Sequence, residues 1–130
     1  MQKHFQKLSI LFLSLFIIVL ECTAQDNQWR YIKDYEGVSV YWRYRQELKD
    51  QYISELKFVN NNSFKIEISF KPYFVCANGN EHKESAQMFT LQSGASAAGQ
   101  WKGLYYYPCG GSQVPRSGGF REMRVSRDDD

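Results

Sequence analysis

The chain has 130 residues, with 16 Lys and Arg against 14 Asp and Glu and a formal net charge of +2. Charge so nearly balanced builds no extended field of one sign, so neither nucleic acid nor an anionic membrane surface is a natural partner. The length suits one domain, and 9 Tyr, 9 Phe and 3 Trp favour strands over helices.

The N-terminus reads as an address. Lys3, His4 and Lys7 give a basic start, and Leu8 to Leu20 is apolar apart from Ser9 and Ser14. A helix over that run would reach about 20 Å, short of the roughly 30 Å hydrocarbon core of a bilayer. It therefore predicts a signal peptide helix, not a membrane span. Cys22-Thr23-Ala24 places small residues three before and one before a cut ahead of Gln25. The expected organisation is a signal peptide over 1–24 and a single domain over 25–130, exported to the periplasm, the cell surface or the medium. The rival is a lipid anchor on Cys22. Glu21 argues against it, standing where lipoprotein signals carry a small residue.

The strands follow in chain order. "WRYIKDY" is a candidate first strand. "VSVYWRYR" alternates with period two, setting Val38, Val40, Trp42 and Tyr44 against Ser39, Tyr41, Arg43 and Arg45. "YISELKFV" offers Leu56 and Phe58 to a core, and Asn60 to Ser63 reads as a hairpin turn. "FKIEISFK" is the clearest half-buried strand, with Phe64, Ile66, Ile68 and Phe70 on one face. If its register survives Pro72, Phe74 and Cys76 also point inward, and Pro72 marks an edge or a bulge. "CANGNEHKES" reads as a polar loop turning at Asn78-Gly79. "AQMFTLQ" predicts a strand with Phe89 and Leu91 inward, "SGASAAGQ" a loop, and "WKGLYYY" a strand ended by Pro108. "GGSQVPRSGG" reads as a loop, "FREMRVSR" as a last strand with Met123 and Val125 inward, and Asp128 to Asp130 as a frayed end. No stretch carries helical periodicity. Six to seven short antiparallel strands at this spacing predict an all-β sandwich or barrel.

Beyond Cys22, the body of the chain holds Cys76 and Cys109. Two cysteines in an exported domain predict a disulfide. One histidine, His82, and two distant thiols do not make a zinc site. The alternatives are a thiol nucleophile, Cys76 with His82, or His82 working with Glu81. No Ser-His-Asp set, metal motif or phosphate loop stands out, and "GASAAG" lacks the lysine a phosphate loop needs. Glu55 and Glu67 could pair across adjacent strands as acid and base, but the preferred reading is exposed-face charges opposite lysines. Asn61-Asn62-Ser63 fits the glycosylation pattern and also a plain turn. The acidic end lacks the oxygens for tight calcium binding. No metal or cofactor is expected.

The succession "LKFVNNNSFKIEISF", "FTLQSGASAAG" and "WKGLYYYPC" resembles small exported bacterial immunoglobulin-like or fibronectin-III-like domains, over roughly residues 52 to 109. The resemblance implies an immunoglobulin-like β-sandwich and no particular activity, since such sandwiches host unrelated functions.

Alternation leaves some aromatic side chains outside any core. Tyr41 lies opposite Trp42 and Tyr44 in facing, and Tyr105 and Tyr107 lie opposite Leu104 and Tyr106. Tyr41, Arg43, Arg45, Tyr105 and Tyr107 are therefore the candidate ligand-binding residues, because Tyr and Arg dominate interface hot spots. The expectation is a non-enzymatic module that binds a protein or serves structurally. A carbohydrate-binding module is the alternative, and a small hydrolase the more distant one.

Overall fold

The computed structural model describes residues 27–49, 51–110 and 113–129. The expected signal peptide and Cys22 lie outside the described residues. Among these, nine strands form: β1 (Arg30–Tyr35), β2 (Val38–Leu48), β3 (Gln51–Asn60), β4 (Ile66–Cys76), β5 (Glu81–Lys83), β6 (Gln87–Leu91), β7 (Ser96–Ala98), β8 (Tyr105–Tyr106) and β9 (Pro115–Arg127). No helix among the described residues is long and apolar enough to cross a membrane.

The strands build two antiparallel sheets, as the alternation predicts. The first runs β1-β2-β3, with β7 and β8 sharing the far edge of β3. In the second, β9 lies along one edge of β4 while β5 and β6 lie end to end along the other. Nine segments thus occupy seven rows, which reconciles them with the six to seven strands expected.

The core lies between the sheets. Val38, Val40 and Trp42 of β2 and Leu56 and Phe58 of β3 face Ile66, Ile68, Phe70 and Phe74 of β4. Phe58 and Phe70 pack at a tilt with centroids 4.7 Å apart, and Phe89 meets both edge-on. Trp42 lies against β9 at Gly118, where a Cβ would overlap its indole. The β4 register does survive Pro72: Phe74 and Cys76 remain buried. A strand residue's N–H and C=O point the same way, and the Pro72 carbonyl accepts from the Glu84 N–H (3.0 Å). The missing proline donor therefore faces the gap between β5 and β6, where it costs no ladder bond.

Four loop or turn expectations change. The Asn60–Ser63 segment is no hairpin, because β3 and β4 lie in different sheets; it is the corner between them. Asn60 is fully buried there, its amide donating to the carbonyls of Phe64, Leu91 and Gln92 and accepting from Asn62. The hairpin signal lay earlier, at Glu36-Gly37, where both residues have positive φ and join β1 to β2. "SGASAAGQ" contains β7, whose small Ala97 fits against the core, and "EHK" of the polar loop is β5. "WKGLYYY" is strand only at Tyr105–Tyr106: Gly99 and Gly103, both at positive φ, bracket a single 3₁₀ turn at Gln100–Lys102. Likewise β9 already begins at Pro115, inside the expected loop.

Cys76 ends β4 in one sheet, and Cys109 follows β8 of the other. The two form a disulfide with Cα atoms 5.5 Å apart, tying the sheets together at that end. Asp128 is not frayed: its N–H donates to the Lys65 carbonyl (2.9 Å), and its carboxylate lies 3.3 Å from Lys65 Nζ.

Candidate functional site

The pleat of β2 turns Tyr41, Arg43 and Arg45 to the outer face of the first sheet. Their direct neighbours on β3 are Lys57, Glu55 and Ile53. On the next row Tyr105 of β8 stands opposite Glu55. Tyr107 lies two residues on, its ring meeting that of Tyr105 edge-on at 6.1 Å. All five candidate ligand-binding residues therefore fall on one side of one sheet.

The same face includes residues that alternation within one strand could not assign. β1 sets Tyr31 opposite Tyr41, their rings at 5.7 Å and 67°. The Arg43 guanidinium lies 4.2 Å from the Trp29 ring, and Lys57 Nζ lies 5.4 Å from Tyr41 and 5.7 Å from Trp29. Such placements are favourable because a ring face carries negative partial charge. The signal that could have found Trp29, Tyr31 and Lys57 is cross-strand register, which needs the β1–β2 turn to be recognised first.

Glu55 is the charged centre of this face, and only 3 % of it is exposed. Its Oε1 accepts from Arg43 Nε (3.2 Å) and Arg45 Nε (3.0 Å). Gly99 passes directly over it, and a Cβ there would overlap Oε2. The expectation of exposed charges facing lysines is thus corrected for Glu55, which is buried between two arginines. Nor does it meet Glu67, which pairs with Thr90 and Ser126 in the other sheet. The Tyr107 hydroxyl donates to Glu47 (2.6 Å), and that bond raises its pKa above the usual phenol value. Tyr31, partly desolvated and bonded to Asp34, is raised as well.

The residues read as alternative catalysts do not converge. Cys76 is consumed by the disulfide, so it offers His82 no thiol. His82 Nε2 instead meets Glu84 Oε1 at 2.8 Å, while Glu81 turns to Tyr73 and Arg121. Among the described residues, no group of three or more His, Cys, Asp or Glu is placed to hold a metal. Asn61 of the glycosylation pattern is exposed, and its amide donates to Ser39 Oγ (2.7 Å) as part of the corner.

No protein-family model, no curated protein and no solved structure matches the chain.

Proposed function

We propose that this chain is an exported, non-enzymatic binding module that engages a protein partner through the outer face of its first sheet. The observation that carries the reading is the continuous patch formed by Tyr31, Tyr41, Arg43, Arg45, Tyr105 and Tyr107 on neighbouring strands. Tyr31 is 57 % exposed and Tyr107 44 %, so large rings stand in water at both ends of it. Arg43 and Arg45 each spend Nε on Glu55, which fixes their planes and leaves the outer nitrogens for acidic groups of a partner. Rigid aromatics with oriented arginines are what interface hot spots are made of.

Ring geometry favours a protein over a glycan. A sugar stacks on an open aromatic face. Here Arg43 covers Trp29, and the two tyrosine pairs are edge-to-face at 67° and 81°. We also read the sandwich as immunoglobulin-like in the broad sense of two antiparallel sheets in seven rows. In antibody constant domains the second and third strands lie in different sheets. Here β1, β2 and β3 form one meander, so the kinship proposed is one of architecture.

The test is site-specific photo-crosslinking of the exported domain, incubated with the exported proteins of its own cells. A photoreactive residue at position 31 or 107 is expected to trap a protein. One at Met88, 67 % exposed on the outer face of the other sheet, is expected not to. Adducts at position 88 as strong as those at 31 and 107, or none anywhere, would overturn the reading.

A further inference from the structure

The two sheets do not close along one side. β5 stops at Lys83 and β6 starts at Gln87, while across from them β8 has only two residues. The gap is a cleft of about 500 Å³ lined by Glu84, Ser85, Gln87, Tyr105, Tyr106 and Tyr107. That size is within the range of small-molecule sites.

The hydrogen bonds of the lining determine what it can accept. Gln87 is held at both ends of its amide: Oε1 accepts from the Tyr106 hydroxyl and Nε2 donates one hydrogen to the Gly103 carbonyl. The Tyr107 hydroxyl proton goes to Glu47. The Tyr106 and Tyr107 hydroxyl protons are thus spent on the protein itself. Glu84 uses Oε1 for His82 and is the one charged side chain among the lining residues. Burial, and then the Glu84 charge, push the Tyr106 pKa up. An anion would meet the Glu84 carboxylate; a cation would meet that carboxylate beside the rings of Tyr105 and Tyr107.

We infer that this cleft is an organic-cation site that receives the ammonium or guanidinium end of a Lys or Arg side chain. Tyr105 and Tyr107 belong both to the cleft and to the aromatic face. The inference therefore rests on the binding-face reading, with the cation carried by the partner seated there.

The cleft can be tested without the partner. The intact, disulfide-bonded domain, labelled with 15N, is titrated with n-butylguanidinium, and in parallel with neutral n-butanol. The guanidinium is expected to shift the amides of residues 84–87 and 105–107 saturably, and butanol is not. Glu84→Gln, checked for an unchanged melting temperature, is expected to weaken binding about tenfold. Tyr105→Leu, which keeps bulk but removes the ring, is expected to weaken it as well. Equal shifts with butanol, no shift with the cation, or full affinity in Glu84→Gln would overturn the site. The two readings can fail separately. Crosslinks at 31 and 107 without cation binding leave the face and remove the cleft, whereas cation binding without crosslinks does the reverse.

Discussion

Asn60 shows how much one buried polar residue can determine. Its amide group donates to three carbonyls at 2.9–3.1 Å, and its oxygen takes the Asn62 N–H at 2.9 Å. These bonds turn the chain from one sheet to the other and tie β6 to the corner. Alanine would remove all of these bonds; the Gln92 carbonyl keeps the Ala95 N–H (3.0 Å), but the buried bond to the Leu91 carbonyl is lost, at a cost of about 1–3 kcal/mol. Asn60→Asp should be worse near neutral pH, because a carboxylate oxygen would face three carbonyl oxygens in a dry site. That environment raises the folded pKa of the new carboxyl above its unfolded value. Stability should then recover as pH falls through the folded pKa, when the protonated acid can donate once. Urea unfolding of both variants at neutral and acid pH checks this; an aspartate variant that loses stability relative to the alanine variant on acidification contradicts it.

At the scale of elements, β9 holds an extra residue. Ser69 pairs with Arg124 and Lys71 with Arg121, so Phe70 stands opposite both Met123 and Glu122. Glu122 has φ 51°, the left-handed conformation of a bulge. Parity explains its presence. Met123 and Val125 are of one parity and Phe120 of the other, yet all three contribute to the core, which strict alternation cannot arrange. Glu122→Gly should therefore be tolerated, although it forfeits the exposed contact with Lys71 (2.7 Å) that lowers the Glu122 pKa. Glu122→Val should melt several degrees lower than the glycine variant, because a β-branched residue resists positive φ. Equal melting of the two by circular dichroism would argue against the bulge.

The same bulge marks the limit of what period-two reading reveals. Alternation over "VSVYWRYR" and "FKIEISFKPYFVC" assigned the inner faces of β2 and β4, and with them Tyr41, Arg43 and Arg45 to the outside. It could not expose β5 or β7, since three residues carry no period and both exist only through pairing with β4 or β3. Nor could it bring Trp29, Tyr31 and Lys57 to the candidate site. Their neighbours are set by register between strands, and the register of β1 against β2 shifts at Ile32.

For the molecule as a whole, the disulfide joins two sheets whose shared edge is weak. The long ladders are β2 with β3 and β4 with β9, and the second reaches the bond at its end, where Cys76 pairs with Pro115. The 33-residue span between Cys76 and Cys109 contains the short strands β5 to β8, of two to five residues each. In the chain-entropy treatment, closing that loop removes about 3.7 kcal/mol of denatured-state freedom. That is a large part of the roughly 5–15 kcal/mol by which a domain is stable. Reducing the bond, or changing both Cys76 and Cys109 to Ser, should therefore lower the urea midpoint sharply. Its effect on the native state should be local as well. Amides of residues 81–106 should lose exchange protection ahead of those in β2 and β3, because short strands detach first. Tyr105 and Tyr107 would then leave the face that Arg43 and Arg45 still occupy, so partner capture should weaken under reducing conditions while the domain remains folded. Uniform loss of protection across all strands would show instead that the bond serves global stability alone.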